Sequence, residues 1–346
     1  MWMVLPVISF LFHSCCLQCF LSDAGEELVL HTSLSGDADI NLLWQQDWQS
    51  EWHIDWDSMK YGNLSYTAPS GFLVECFSHE DASLVGQVEF AGSSVSMDLP
   101  GGCYDLLSYN AEARDMVMAG QGSSRSFVMT TDRERYVVLP DTLTSRYDIR
   151  RMPVEVFSAF LDGVELSDDN EEYAYEEVTG TYTLHLSCQL SPRVFIYLIQ
   201  LSVRDEGRRV INAGTAAISG LSSSVDLVSG ALSGDAVTHQ VQSVFQPPSQ
   251  TVDGVWAPCL VGSRLLTFGR AAGGSVRNFY HVPLYLSDGS CQWLTFDITS
   301  QMKLLPTGGV IVLECDAPDV GTDRPSGGGW NIGVGGWHTE NHGITI

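Results

Sequence analysis

Four tryptophans recur at every fourth residue near the amino terminus: Trp44, Trp48, Trp52 and Trp56. An exposed indole ring offers a flat apolar face and a polar N–H, so it can stack on a sugar ring and bond a hydroxyl group. A spacing of four keeps such side chains on one face of a strand, and on a helix they drift slowly around one side. The series therefore predicts a glycan contact. The alternative is that some of these rings pack against the core while others pin a long loop.

Catalytic motifs are incomplete in this chain. Ser300 and Lys303 match the Ser-x-x-Lys motif of penicillin-recognising enzymes, which also requires a helix start and partner motifs. Here the motif follows a strand pattern over 295–298, and Lys-Thr-Gly is absent from the sequence. His338 and His342 lack the His-Glu-x-x-His arrangement of zinc proteases. We expect no catalytic residue; a hydrolase is a third alternative that has no visible nucleophile–base–acid set.

Residues that could ligate a metal ion lack the required spacing. Asp37, Asp39 and Asn41 alternate like part of a calcium loop, but the glycine of such a loop is missing, so we expect polar residues at a strand edge. Six cysteines lie in the body of the chain: Cys76, Cys103, Cys188, Cys259, Cys291 and Cys315. They contain no Cys-x-x-Cys pair, so we expect neither zinc nor another cofactor. Most should be small buried hydrophobic residues, although an even number permits disulfides that spacing cannot assign.

The first 21 residues form an apolar targeting segment. Its run over 5–12 is too short to span a bilayer but suits the core of a signal peptide. Ser14 then precedes Cys15, and we predict that Cys15 is acylated after cleavage and anchors the exported chain to a membrane. Cys16 or Cys19 could carry the lipid instead. A plain secretory signal is the alternative, because the segment lacks Lys and Arg and His13 is unusual at a lipidation site.

Composition excludes several classes of protein. The 346 residues include 17 Lys and Arg against 42 Asp and Glu, which gives a formal net charge of −25. Such a chain opposes nucleic-acid backbones and offers no polybasic patch to anionic lipid, so we expect no nucleic-acid partner and membrane contact only through a lipid anchor. With 44% hydrophobic residues, the chain can bury a core.

Alternating apolar residues predict short strands separated by turns. Tyr197, Ile199 and Leu201 share one face of such a run. Asp288-Gly289 lies between two other runs, and this dipeptide is the strongest short-range signal for a hairpin. Long helical periodicity is absent. The pattern therefore predicts an all-β protein built from β-sandwiches.

Two domains are expected, with a break near residue 140. We predict a signal or lipoprotein segment over 1–22, an N-terminal β-sandwich over 23–140, an acidic linker or excursion over 141–180, and a C-terminal β-sandwich over 181–346. The linker prediction rests on the acidic stretch 152–192, which contains no Lys or Arg. Calcium binding there is the weaker alternative, because the ordered ligand spacing is missing.

An ordered set of segments points to a known family. The segments are Gly71–Val74, Met97–Asn110, Ala217–Leu221, Val228–Gly230, Leu266–Gly269, Leu284–Ser290, Phe296–Thr299, Gly328–Val334 and Gly336-Trp337. In this order they resemble the fimbrillin-like surface lipoproteins of Bacteroidales, specifically an uncharacterised family related to the anchor subunits of minor fimbriae. The likeness extends over most of residues 25–346.

The resemblance implies two tandem Greek-key β-sandwich domains of the transthyretin-like, fimbrillin type. It also implies a lipid anchor in the outer membrane, a role in surface fimbriae or adhesion, and no catalytic residues. The implied partners are other fimbrial subunits or surface proteins, joined by strand pairing. The tryptophan series, independently of the resemblance, adds host or environmental glycans as partners. It also supports the alternative, a glycan-binding surface lipoprotein of a polysaccharide-capture system.

Related shaft subunits lose an early strand to an Arg-specific protease. The first arginine here is Arg114, so a cut that removes only the first strand is not available. We therefore expect an anchor or accessory subunit. The last segment, Trp330–Ile346, should add a strand to its own sheet, or alternatively to that of a neighbour.

Overall fold

The fold comes from a computed structural model, which describes residues 29–318 except 45–46, 56, 120–122, 168–172, 177–180, 206–207 and 251–254. The predictions for Cys15, Cys16, Cys19 and Trp56, and for the segment Trp330–Ile346, therefore lie outside the described residues. Among those described, the longest helix has six residues, so none of them forms a helix long and apolar enough to cross a membrane.

Strands account for most of the described chain, which confirms the predicted all-β class. Those of the first half are β1 (Val29–Ala38), β2 (Gly71–Ser78), β3 (Leu84–Ala91), β4 (Ser94–Pro100), β5 (Gly102–Asn110), β6 (Val117–Ala119), β7 (Val128–Thr130), β8 (Ile149–Arg150), β9 (Phe157–Leu166) and β10 (Tyr173–Glu176). Those of the second half are β11 (Thr181–Pro192), β12 (Phe195–Arg204), β13 (Val210–Ala213), β14 (Ala216–Asp226), β15 (Leu232–Val241), β16 (Ser243–Gln246), β17 (Cys259–Thr267), β18 (Phe279–Leu286), β19 (Cys291–Asp297) and β20 (Gly309–Asp316). The helices are α1 (Trp48–Glu51), α2 (Ser58–Tyr61), α3 (Asp141–Thr144) and α4 (Thr299–Leu304), with a 3₁₀ turn at Ala111–Asp115.

The first sheet has the order β3-β2-β5-β9-β11-β1-β4, with β10 also paired to β11. Strands β9 and β11 pair through two positions only, Ser158 with Ser191 and Phe157 with Pro192. The sheet folds there into two halves that share one core, to which Leu34, Val74 and Leu106 belong. This arrangement is the first sandwich.

The second sandwich packs two sheets face to face. One has the order β16-β17-β12-β20; the other has β13-β18-β14-β15-β8, extended by β19, β7 and β6. Strand β12 alternates as the sequence predicts, because Tyr197 and Ile199 enter the core between these sheets. Its intervening residues, Ile196 and Leu198, are also buried, but on the opposite face and in the first core.

The hairpin at Asp288-Gly289 is confirmed. It joins β18 to β19, which pair along their length from Tyr285–Cys291 to Phe279–Asp297. Gly289 has φ 83°, a conformation that glycine adopts without steric cost. The turn depends only on neighbouring residues, and it lies at the dipeptide from which it was predicted.

Strand pairing divides the chain differently from the predicted boundaries at 140 and 180. Strand β7 pairs with β14 and β8 with β15, so part of 117–150 completes the second sandwich. Strand β9, inside the predicted acidic linker, is a central strand of the first sheet. Its acidic residues Asp162 and Glu165 occupy exposed positions in the second half of the strand, whereas Phe157 and Ser158 in the first half are buried.

Candidate functional site

The described tryptophans lie in residues 39–70, the segment that connects β1 to β2. Trp52 is only 5% exposed and meets Tyr61 edge to face with ring centroids 5.5 Å apart. Trp44 is half-buried, and its Nε1–H donates to the carbonyl of Ile196 at 3.1 Å. Trp48 is half-buried against the same core. Their rings contribute to packing, in agreement with the alternative interpretation that some of these tryptophans pack against the core.

This β1–β2 segment lies across the outer face of the β16-β17-β12-β20 sheet. The N–H of His53 donates to Gln200 Oε1 at 2.6 Å, and the Thr307 hydroxyl donates to the carbonyl of Leu43 at 3.0 Å. The approach is close at Gly262, where an added Cβ would lie 2.7 Å from Ile54 Cδ1 and 2.9 Å from Trp52 Cη2. The segment from the first sandwich thus covers a sheet of the second.

A buried ion pair joins the same two regions. Arg264 Nη2 lies 3.5 Å from Glu155 Oε1, and their side chains are 13% and 19% exposed. Burial lowers the pKa of Arg264, opposed by the nearby Glu155 charge. The other carboxylate oxygen of Glu155 accepts the N–H of Thr67 at 2.7 Å. An ion pair therefore joins the two sandwiches in addition to their apolar contacts.

Strand β20 forms one end of its sheet in the described chain. On the inner side it pairs in parallel with β12. On the outer side, the backbone of Val312 is bonded by the side chain of Gln301, whose Nε2 donates at 3.0 Å and whose Oε1 accepts at 3.1 Å. Because backbone groups alternate along a strand, Glu314 directs its N–H and C=O to the same outer side as Val312.

A cleft of about 580 Å³ opens at the end of the first sandwich, where β1 leaves the sheet. Polar residues that line it include Asp37, Asp39, Asn41, Ser93 and Gln189. Its apolar lining includes Phe72, Pro69 and Ile40. Sequence reasoning placed the first three polar residues at a strand edge but missed the cleft. The available signal was Gly36 and Ala38, small residues in the core-facing phase of β1.

One other group of ionisable residues converges, at the turn after β2. His79 Nδ1 lies 2.6 Å from Asp105 Oδ1 and 3.7 Å from Asp162 Oδ1. Burial opposes ionisation of Asp105, but bonds from His79 and the Gly163 N–H hold its pKa below the usual value. The hydrogen bond with Asp105 raises the pKa of His79. These contacts satisfy the buried carboxylate, and we interpret the group as an ion pair.

The remaining candidates carry no convergent chemistry in the described chain. Ser300 and Lys303 lie on α4 and are exposed, while His338 and His342 fall outside the described residues. Four body cysteines are buried, as predicted for most of them, and two, Cys103 and Cys291, are exposed; all six are free thiols. Burial raises the pKa of Cys76, Cys259 and Cys315 to about 12, so these thiols are unreactive at neutral pH.

No protein-family model and no curated protein matches this sequence. Its fold is shared with solved structures. A proposed adhesin from Bacteroides ovatus is 14% identical, with a TM-score of 0.55 over 85% of this chain and 94% of that one. A proposed adhesin from Bacteroides thetaiotaomicron is 11% identical, with a TM-score of 0.51 over 84% and 92%. The fimbrial anchor protein Mfa2 from Porphyromonas gingivalis is 10% identical, with a TM-score of 0.45 over 83% and 91%.

The architecture is therefore that of Bacteroidales adhesin-type proteins, which confirms the fold expected from the fimbrillin-like resemblance. At these identities the comparison concerns the fold alone.

Proposed function

We propose that this protein is a non-enzymatic surface protein that serves as a fimbrial anchor or accessory subunit. Cys15 would carry the lipid that holds it at the outer membrane, and other fimbrial subunits or surface proteins would be its partners. The fold shared with two proposed adhesins supports an adhesive role.

The position of β1 supports an anchor or accessory role over that of a shaft. Strand β1 pairs with β11 on one side and β4 on the other, and Leu34 is fully buried. Removal of this strand would separate β4 from the rest of the first sheet. Since the first arginine is Arg114, beyond β5, Arg-specific cleavage would destroy the sandwich instead of freeing a groove. Amino-terminal sequencing of surface material tests this: a mature start inside the first sandwich would contradict it.

The observation that carries the assembly proposal is the outer edge of β20. Outward N–H and C=O groups at the end of a sheet can accept an added strand, which gains backbone hydrogen bonds. In the described chain, one glutamine side chain occupies this edge at Val312. A side-chain amide forms the same pair of bonds as a strand residue, so an incoming strand would displace Gln301 from Val312 and pair at both Val312 and Glu314.

A proline at Glu314 tests this edge. Proline removes the outward N–H and is tolerated on edge strands, so Glu314→Pro should keep the fold and lose assembly. The matched control is Glu314→Gln, which removes only the charge. Co-purification of fimbrial subunits with the surface protein is the readout. Assembly that survives in a folded Glu314→Pro variant would overturn the β20 proposal.

Lipid anchoring and the lack of enzymatic activity need separate tests. The intact mass of the mature chain should show an acyl increment on a chain that begins at Cys15, and Cys15→Ser should release the protein from the membrane fraction. A mature chain without an acyl group would reject the anchor. Turnover in a broad esterase and glycosidase screen would contradict the non-enzymatic role.

A further inference from the structure

The cleft at the end of β1 exists because small residues succeed one another on the core-facing side of that strand. Leu34 fills the core completely, but Gly36 and Ala38 follow it toward the strand end. A Cβ added at Gly36 would lie 3.4 Å from Leu190 Cδ1 and 3.9 Å from Phe72 Cδ2, so the wall behind it is apolar. Leu190, Cys188 and Phe72 therefore form an apolar floor beside Gly36.

The backbone of β1 is open in the cleft. Gly36 N–H donates to Ser93 O at 2.8 Å, and β4 extends no further along β1. Strand β1 continues beside β11 alone, where Asp39 N–H donates to Leu190 O at 2.9 Å. Because backbone groups alternate, Ala38 directs its N–H and C=O away from β11, toward the side that β4 has vacated.

The lining offers hydrogen-bonding groups to a hydroxyl-rich ligand. Asp37 and Gln189 lie opposite each other on the exposed face of β1 and β11, where a carboxylate accepts hydroxyl bonds and an amide both donates and accepts. The lining contains no Lys, Arg or His, so an anionic ligand would find no counter-charge. Asp39 Oδ1 accepts two bonds from Asn41, at 3.1 and 3.0 Å, which hold this carboxylate in place. The edge of Phe72 and the ring of Pro69 offer apolar surface to the C–H face of a sugar.

We propose that this cleft binds the end of a neutral oligosaccharide. Its volume lies within the range of about 300–1,000 Å³ that small-ligand sites occupy. A polypeptide strand fits less well, because one open residue, Ala38, offers a single pair of backbone bonds. The inference rests on the proposed surface role and adds a ligand class to it. It also assigns glycan contact to residues other than the tryptophan series.

The test uses the full mature chain on an array of neutral glycans, followed by titration calorimetry with maltotriose, cellotriose and mannotriose. Galacturonic acid trimers and glucosamine trimers serve as anionic and cationic probes. We expect saturable binding of at least one neutral glycan and no binding of the galacturonic acid trimers, which Asp37 and Asp39 would repel. Absence of neutral binding, or binding of charged trimers only, would overturn the proposal.

Two tryptophan substitutions locate the site. Ser93 lines the cleft, so Ser93→Trp should weaken binding at least tenfold. Ser96 is an exposed residue of β4 outside the lining, so Ser96→Trp is the matched control and should bind like the wild type. Gln189→Ala removes one hydrogen-bonding side chain and should weaken binding by about fivefold to tenfold. Equal binding by both tryptophan variants, with melting curves unchanged, would place the glycan elsewhere.

The design separates this proposal from the proposed function. Ser93→Trp should leave co-purification with fimbrial subunits intact, and Glu314→Pro should leave glycan binding intact. Loss of assembly in the second variant alongside absence of glycan binding in the wild type would retain the surface role and reject the cleft. Glycan binding by the wild type alongside intact assembly in Glu314→Pro would reject the β20 edge and retain the cleft.

Discussion

Trp52 is expected to stabilise the junction between the sandwiches rather than to bind sugar. Its side chain is 5% exposed and contacts Tyr61 edge to face, and it lies over Gly262. Truncation of a buried tryptophan to alanine costs about 3–5 kcal/mol, of which an aromatic pair of this geometry contributes about 1 kcal/mol. We therefore expect Trp52→Ala to lower the free energy of unfolding by about 3 kcal/mol or more. Glycan binding in the folded variant should be unchanged.

Urea unfolding followed by far-UV circular dichroism measures this change. Trp48→Ala is the matched control: Trp48 is half-buried, so we expect a loss of about 1 kcal/mol. Gly262→Ala should be destabilising alone, because its methyl group would crowd the Tyr61 hydroxyl, Ile54 and Trp52. Trp52→Ala removes one of these three clashes and the aromatic partner that holds Tyr61, so the two losses should be less than additive. A loss below 1 kcal/mol for Trp52→Ala, or loss of glycan binding by the folded variant, would refute this reasoning.

Three further perturbations probe the buried charges and backbone. Glu75 is 3% exposed and accepts a hydrogen bond from the Tyr109 hydroxyl at 2.9 Å, and burial raises its pKa. The folded state therefore favours the protonated carboxyl group. The contribution of Glu75 to the free energy of unfolding is fully present below about pH 4.5 and is lost as the pH rises through the raised pKa. Glu75→Gln should therefore stabilise the protein more at pH 8 than at pH 5 in urea unfolding; a destabilised variant at pH 8 would contradict this. Arg264→Met leaves the buried Glu155 unpaired and should cost about 3 kcal/mol, and a melting curve equal to the wild type would contradict the buried pair. Gly220 has φ 79° and an added Cβ would collide with the carbonyl of Arg277, so Gly220→Ala should lower the melting temperature, whereas Gly86→Ala, in open space, should not.

Local patterns in the sequence predict the local parts of this fold. The alternation of β12 and the Asp288-Gly289 turn depend on neighbouring residues, and both are found as expected. The burial of Ile196 and Leu198 could not be predicted in the same way. It depends on the β1–β2 segment, which is distant in sequence and covers that face of β12.

The tryptophan series shows the same limit at the level of function. Tryptophans four residues apart can lie on an exposed face or on a buried face. Only the position of the β16-β17-β12-β20 sheet, against which the β1–β2 segment packs, distinguishes the two. The glycine at 262 and the tryptophan at 52 contact each other across 210 residues, with no pattern that links them in sequence. The acidic composition of 152–192 likewise concealed β9, because its charges lie in the exposed second half of the strand while the first half is buried.

The cleft was foreseeable only in part. Asp37, Asp39 and Asn41 were recognised as polar residues at a strand edge, and the structure places them at the end of β1. Their convergence with Ser93 and Gln189 depends on β3, β4 and β11 meeting at one end of the sandwich. That meeting is a property of topology, which the sequence of β1 does not contain.

Amide hydrogen exchange of the peptide 309–316 tests the assembly claim most directly. In the isolated protein, the N–H of Glu314 faces outward from β20 and should exchange quickly, while its inward neighbours are protected by β12. In protein recovered within surface fimbriae, Glu314 should become protected by at least tenfold, because a partner strand bonds the edge. Equal exchange in both preparations, with Glu314 fully exposed in the assembled state, would contradict the account.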